Sequence, residues 1–430
     1  MWTETLIVGG GFGGALCAHE LDRILRDRSE RTLLVAPENF LLFSPLLPEA
    51  ASGTLEPRHA VIPLREIVGE TRLLAGEVTS IDVDARTAEV RDINGNTQTV
   101  EYRTAVLSPG SVPNTVPIPG LLDNAVGFKS IADAIWLRNR LLHQLDAANA
   151  ATDVEERRRL LTFTFIGGGY AGVEALAELE SLARDAAAQY PAVAPGDFRW
   201  VLVEAVDTLL PGLDPKLARY TEKQLRKRGI EVHLGTRMTS CEDRQVVLSD
   251  EGVAPYHSDT IVWTAGQRPS PLIDALGLPT NERGRLVTDD HCRVDGRDDL
   301  FALGDAAAVP DPDGGICPLT AQHALRQART VANNVAATFG VGEAKPFTYR
   351  NRGLAVTLGN LEGVAQVKGF TFRGFPAWWM GRSYHLIMMP GLGRKLRVLT
   401  DWTLALLFPR DTAQLGQLGR PSPLAPAERA

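Results

Sequence analysis

Thr5–Leu21, TLIVGGGFGGALCAHEL, is an apolar strand that turns on glycines and leaves as a helix. Gly9, Gly11 and Gly14 stand in the spacing G-x-G-x-x-G, with Gly10, Phe12 and Gly13 between them. Between a strand and a helix that spacing has a physical use. The first glycine turns the chain, the second lets backbone approach a pyrophosphate, the third lets the helix pack closely, and the helix start offers unpaired N–H groups to the phosphates. A single such turn is weak evidence, because glycine turns recur for steric reasons. The chain repeats it: Leu161–Leu179, LTFTFIGGGYAGVEALAEL, carries Gly167, Gly169 and Gly172 in the same spacing, with Tyr170 and Glu174 on the helix that follows. Two copies predict two dinucleotides, and the economical pair is a resident FAD and an exchanging nicotinamide.

The residues after each next strand refine this. RWVLVE ends in Glu204, an acid placed to grip a ribose 2′-hydroxyl and to repel a 2′-phosphate, so the second site is expected to take NADH rather than NADPH. The interval from Gly172 is longer than the usual ~20 residues, an excess that the loop PAVAPGD can absorb. After the strand RTLLV the first site has Ala36 where that acid would stand, followed by Pro37 and Glu38. Either Glu38 reaches the ribose or the adenosine is held by backbone and the pyrophosphate contact alone. Further on, TRLLAGEVTSIDVDARTAEVRDINGNTQTVEYRTAVLSPG alternates apolar and polar residues around the turn Asn94-Gly95, which predicts a β-meander returning to the sheet at Pro109 and Gly110. A later strand, DLFALGD, delivers Gly304 and Asp305 to a strand end ahead of the helix AQHALRQARTVANNVAATF. The fold class is therefore α/β, two Rossmann-like dinucleotide-binding domains in a glutathione-reductase-like architecture, followed by a C-terminal membrane-associating region.

Composition agrees. A chain of 430 residues allows about three units, and 44% hydrophobic with 23% charged residues is globular. A formal charge of −7 argues against a whole-protein footprint for nucleic acid. Cys17, Cys241, Cys292 and Cys317 contain no C-x-x-C, so spacing supports neither a disulfide framework nor a zinc site, and no metal is expected. The N-terminus enters a strand at once and no apolar run approaches ~18 residues, so neither a cleaved signal nor a membrane span is expected.

With these residues in view, the chain resembles the type II NADH dehydrogenases, single-subunit NADH:quinone oxidoreductases that pump no protons. NFLLFSPLLPEAASGTLEPR, FKSIADAIWLRNRLL, IVWTAGQRPSP, LFALGDAAAVPDPDGGICPLTAQ and GFPAWWMGRSYHLIMMPG follow in that family's order, from about Thr5 to about Leu407. The resemblance implies that Gly9, Gly11, Phe12, Gly13 and Gly14 hold the FAD pyrophosphate, that Asp305 beside Gly304 binds the ribityl chain, and that Pro45, Leu46 and Leu47 lie under the flavin. Pro109, Gly110, Ala321 and Gln322 complete the FAD set. Gly167, Gly169, Tyr170, Gly172, Glu174, Glu204, Ala265 and Gly266 form the NADH set. Glu174, Gln322, His323 and Arg326 are the catalytic candidates, with His323 as a proton donor to reduced quinone. Arg326 stands where the family has a glutamine, a departure that bears on the electron acceptor.

The resemblance also implies domains: FAD-binding over 1–115 and 275–345, NADH-binding over 116–274, a membrane-anchoring or dimerisation region over 346–410, and a disordered tail over 411–430. Quinones live in lipid, and the C-terminal region carries Trp378, Trp379 and Trp402, Met380, Met388 and Met389, interleaved with Arg382, Arg394, Lys395 and Arg397. Leu396, Leu399, Trp402 and Leu406 are expected to share one helical face that rests on the bilayer, at the cytoplasmic face of the cell membrane. The expected partners are a membrane quinone, the lipid surface and, as an open arrangement, a second copy of the chain. The competing readings are a sulfide:quinone reductase-like or ferredoxin reductase-like flavoprotein, and an NADH-sensing flavoprotein resembling apoptosis-inducing factor.

Overall fold

The computed structural model describes residues 1–26, 31–351 and 353–414. Most of the expected tail, 415–430, lies outside the described residues. The first glycine motif joins β1 (Trp2–Val8) to α1 (Phe12–Leu25), and β2 (Thr32–Ala36) lies parallel to β1 with Val8 opposite Val35. A meander follows, β3 (Arg72–Asp82), β4 (Thr87–Asp92) and β5 (Thr97–Leu107), with the Asn94-Gly95 turn between the last two.

β5 changes character along its length. Residues 97–101 pair antiparallel with β4 and expose alternate side chains, whereas 101–107 pair parallel with β1 and end in the fully buried run AVL. One strand therefore reads as a half-solvated ribbon at its start and a sandwiched parallel strand at its end, which the alternation followed by a continuous apolar run requires. Leu300–Ala302 returns much later in the chain and adds on beside β5, with Ala302 opposite Leu107.

The second sheet is wholly parallel, in the order Ile230–His233, Arg199–Val203, Thr162–Ile166, Thr260–Trp263, Ala125–Gly127. Its centre, TFTFI, is buried along its whole length, and Phe163 stacks on Trp200 of the neighbouring strand at 4.5 Å. The helix Tyr170–Ala187 leaves its second glycine motif. The helix Ile131–Ala150 starts with a capping box in which Ser130 Oγ accepts from Asp133 N at 3.1 Å and Asp133 Oδ2 accepts from Ser130 N at 2.8 Å, satisfying two orphan donors.

The chain then builds an antiparallel sheet from Gly353–Thr357, Gly363–Val367 and Phe370–Arg373, and ends in two helices, Phe375–Met388 and Leu392–Leu407. No helix among the described residues is long and apolar enough to cross a membrane.

The C-terminal helices are fastened by charge. Arg382 is buried, its guanidinium lies 4.5 Å from the Trp378 ring and 4.9 Å from the Trp402 ring, and its Nε is 3.3 Å from Glu49 Oε1. Trp402 Nε1 donates to Glu49 Oε2. Beside this, Asp401 Oδ2 accepts from Glu56 N at 3.1 Å and meets His59 Nδ1 at 2.5 Å. Arg382→Ala leaves Glu49 without its cation and, above neutral pH where that carboxylate is ionised, is expected to cost about 3–5 kcal/mol. Arg382→Met, which keeps the volume between the rings, should cost much the same if the charge matters and far less if packing alone does. Denaturant titration of the two variants separates these contributions.

Candidate functional site

Parallel pairing brings the site together. Because Val8 is level with Leu107, and Leu107 with Ala302, the segments that follow them, Gly9–Gly14, Ser108–Gly110 and Leu303–Asp305, emerge at the same sheet edge. In the second sheet Ile166 is level with Val203 and Trp263, so Gly167–Gly172, Glu204 and Thr264–Gly266 share an edge in the same way. Ligands of open α/β sheets bind at such carboxyl edges.

The two glycine turns are built alike. Gly9 and Gly167 have φ of +101° and +117°, and a Cβ on either would strike the next strand's end, Ser108 O at 2.2 Å or Thr264 Oγ1 at 2.7 Å. A Cβ on Gly14 would lie 1.9 Å from Gly9 O, and one on Gly172 would lie 2.1 Å from Gly167 O, so the helix presses directly on the turn. The middle glycines differ. Around the Cβ position of Gly11 and of Gly169 there is nothing within 4 Å. Each turn is therefore closed toward the protein and open at the one glycine past which a pyrophosphate would lie, so both fit a dinucleotide.

The acids fit as well. Glu204 turns back onto its glycine loop, its carboxylate accepting from Gly168 N at 2.6 Å and from Val206 N at 3.0 Å. In the first site Ala36 is buried and Glu38 is exposed. Asp305 caps no helix: it lies in the turn Gly304–Ala306, and its Oδ2 accepts from Ser111 Oγ at 2.6 Å. Tyr170 donates from its hydroxyl to Pro211 O at 3.2 Å, alongside the second glycine turn.

The sequence reading missed Lys129. Its Nζ donates to Ser111 Oγ at 2.6 Å and to Gln267 Oε1, so it bridges the antiparallel pair Ser111–Pro113 and Gln267–Pro269 just where Asp305 faces them. Burial lowers its pKa, and the nearby Asp305 carboxylate raises it. The only signal was a lysine in FKSIAD directly ahead of a capping box.

Behind the segment Ser44–Ala51, where Pro45 is partly exposed and Leu46 and Leu47 are buried, stands a group of carboxylates. Glu174 is no free helix-start acid: its Oε1 accepts from Thr357 N at 2.9 Å. Burial raises its pKa to about 8, with Glu49 and Glu178 adding repulsion. Glu178 Oε2 accepts from Ser52 Oγ at 3.0 Å and lies 3.9 Å from Arg410 Nη2. Glu49 is raised to about 7, chiefly by burial and further by Glu178, against the lowering effect of Arg382, the Trp402 N–H and Arg410.

Gln322, His323 and Arg326 converge on a residue that the sequence reading had not singled out, Tyr349. Its hydroxyl donates to Gln322 Oε1 at 2.8 Å, its ring meets the His323 ring edge to face at 5.2 Å, and Arg326 lies over the ring at 5.2 Å. Ala321 opens the same helix, Ala321–Thr338, whose Thr320 cap accepts from His323 N. Arg326 therefore presents a flat cation on an aromatic face.

One expectation is corrected. Trp402 does not share the outward face with Leu396, Leu399 and Leu406, because it is only 7% exposed and bonded to Glu49, whereas those leucines are 56%, 47% and 60% exposed. Trp378, Met389 and Arg382 are also inside. The outward apolar set is Leu392, Leu396, Leu399, Leu404, Leu406 and Leu407, continued by Phe408, with Phe375, Trp379 and Ile387 from the preceding helix. Helical periodicity put all four on one broad face and carried no sign of which part of it met protein.

The fold and the paired cradles define a two-dinucleotide flavoprotein, and the sequence comparisons agree: residues 3–328 match the family described as pyridine nucleotide-disulphide oxidoreductase, to which the chain belongs. Within it the chain is a member of the type II NADH:quinone oxidoreductases. It is 30% identical to the type II NADH:quinone oxidoreductase NdhA of Mycobacterium tuberculosis, over 94% of this chain and 87% of that one. It is likewise 30% identical to a probable NADH dehydrogenase of Dictyostelium discoideum, over 95% and 90%. The solved structure of NDH2 from Plasmodium falciparum in complex with NADH superposes with a TM-score of 0.87 at 17% identity, over 96% of this chain and 100% of that one, which shows the shared fold.

Two outcomes are expected. Glu204→Ala tests the expected ribose contact and should raise the KM for NADH by about 10–100-fold, as loss of a charged hydrogen bond does, while narrowing the preference over NADPH. Steady-state kinetics with both nucleotides measures this. Glu49 binds a proton more tightly folded than unfolded, its pKa rising from 4.5 to about 7. The stability it contributes is complete below the lower value and is lost as pH rises through the upper one. Glu49→Gln should flatten that slope by on the order of 3 kcal/mol. Because Trp402 donates to Glu49, its emission should show an inflection near neutral pH that the same variant removes.

Proposed function

We propose that the protein is a peripheral membrane enzyme that oxidises NADH through FAD and passes two electrons to a membrane quinone. The observation that carries this is the pair of turns, each closed by its neighbouring strand and open at Gly11 or Gly169. FAD and NADH are the cofactors of its family. When bound, FAD supplies the hydride-accepting and electron-donating chemistry that no side chain here offers.

The chain's own residues position and shield. Gly9–Gly14 and the α1 start would cradle the flavin nucleotide's phosphates, Asp305 its ribityl hydroxyls, and the Pro45–Leu46 turn its ring, with Pro109, Gly110, Ala321 and Gln322 around it. Gly167–Gly172, Glu204, Ala265 and Gly266 would take NADH. Glu174, held by the Thr357 N–H, would stand at the nicotinamide side. With a pKa near 8 it is largely protonated at neutral pH and can hold or release a proton there. Gln322, Arg326 and Tyr349 would meet the electron acceptor, where a guanidinium can donate to a quinone oxygen.

Leu300–Ala302 returning beside β5 supports a division in which 116–274 is inserted into the FAD unit, and 346–410 is read as the anchor. Leu392, Leu396, Leu399, Leu406 and Leu407 give the anchor an apolar face, and Arg397 and Lys395 flank it, the composition of a helix lying in a bilayer interface. The cytoplasmic face of the membrane is where NADH is available.

Anaerobic mixing tests the reaction: NADH should bleach the flavin absorbance and quinone should restore it, and a flavin that NADH leaves unchanged sinks the proposal. For the anchor, Leu396→Asp with Leu406→Asp should abolish flotation with vesicles while NADH still bleaches the flavin. Unaltered flotation would assign that face to another partner.

A further inference from the structure

Outside the two glycine turns, behind the start of the helix Ala321–Thr338, three donor side chains that the proposed function above does not use meet at one point. Asp311 lies in the loop bounded by the Pro310–Ile316 bridge, Cys317 follows that loop, and His323 lies in the first turn of the helix Ala321–Thr338. One ligand atom from each falls within 4.8 Å of the other two. Cys317 is 4% exposed and His323 is 2% exposed.

A second observation is the histidine's free nitrogen. His323 Nδ1 lies 2.7 Å from Thr320 Oγ1, while Nε2 is buried without a hydrogen-bond partner. Leaving a buried polar atom unsatisfied costs about 1–3 kcal/mol. Thr320 Oγ1 already accepts from His323 N as the helix cap, and when Nδ1–H also donates to it, Nε2 is left as a bare lone pair directed at nothing in the protein. That is the arrangement of a metal-ligating imidazole whose other nitrogen is oriented by a second partner. Burial lowers the pKa of His323, keeping the ring neutral, the form that binds a metal.

The neighbouring charges permit a cation. Asp311 Oδ1 accepts from Asp313 N at 2.9 Å. Arg285 directs Nη1 to the Cys317 carbonyl at 3.5 Å rather than to its sulfur. The thiol is raised to about 11, mainly by burial and next by Asp311, so Cys317 is protonated at neutral pH until something replaces its proton.

We propose that Asp311, Cys317 and His323 bind a divalent transition metal of the zinc class, through one carboxylate oxygen, the thiolate and imidazole Nε2. A thiolate with an imidazole and a carboxylate selects zinc over calcium or magnesium, which take oxygen ligands. Binding releases the Cys317 proton to solvent and leaves the metal's oxidation state unchanged. Three protein donors leave a fourth position for water. The ion ties the Val309–Cys317 segment to the start of the helix that carries Gln322 and Arg326, and it takes His323 out of the proton-donor role. The other acid–histidine group, Asp289, Asp290 and His291, lies at the surface with His291 Nδ1 already 2.6 Å from Asp290, and it serves as a control.

The test needs no turnover, so it stands apart from the quinone reductase proposal. FAD-loaded protein is stripped with chelator, reloaded with zinc, dialysed, and examined by elemental analysis and zinc-edge X-ray absorption. The expected result is about one zinc per chain with one sulfur scatterer at about 2.3 Å, reduced to background in Cys317→Ser and unchanged in His291→Ala. No retained zinc, zinc without a sulfur neighbour, or full retention in Cys317→Ser would each overturn the assignment. Because the sulfur signal is read in the unmodified protein, a variant that fails to fold leaves the test intact.

Discussion

Parallel pairing ends every strand of a sheet at the same edge, and the whole arrangement depends on that constraint. Whatever follows Val8, Leu107 and Ala302 must emerge together, and so must whatever follows Ile166, Val203 and Trp263. The glycine turns then solve a local problem in which helix and strand approach so closely that a side chain fits on one side only. Binding capacity arises as the uncovered side of a packing solution, and it arises twice because the strand–turn–helix unit does.

How much of this was legible in the sequence follows from which forces are local. Both turns, their flanking strands and Glu204 were readable because spacing along the chain determines geometry within a few residues. The meander was readable from alternation, and the change of partner within Thr97–Leu107 is written as alternation giving way to AVL. Lys129 and Tyr349 were not readable. Their roles depend on segments far away in the chain, Ser111 and Gln267 for one, Gln322 and Arg326 for the other. A single sequence carries no term for such meetings.

The C-terminal helix marks the same limit from another direction. Its apolar residues cover more than one stripe, and hydropathy assigned Trp402 to the lipid side. The deciding residue was Glu49, whose buried carboxylate takes a hydrogen bond from Trp402 and a counter-charge from Arg382. An acid in the N-terminal half thus selects which stripe turns inward, and the leucines are left facing out. A buried charge here determines orientation more than it adds stability, since pairs of this kind repay little beyond their own desolvation.

Glu174 is held by the backbone N–H of Thr357, which lies in the sheet directly preceding the two C-terminal helices. The carboxylate proposed to stand at the nicotinamide is thereby oriented by the part of the chain proposed to attach the molecule to a membrane. Cutting the chain before that sheet would therefore yield something other than a water-soluble edition of the same catalyst. On the proposed function, electron entry and attachment share one piece of backbone, and the anchor is then no independent module to be discarded or exchanged.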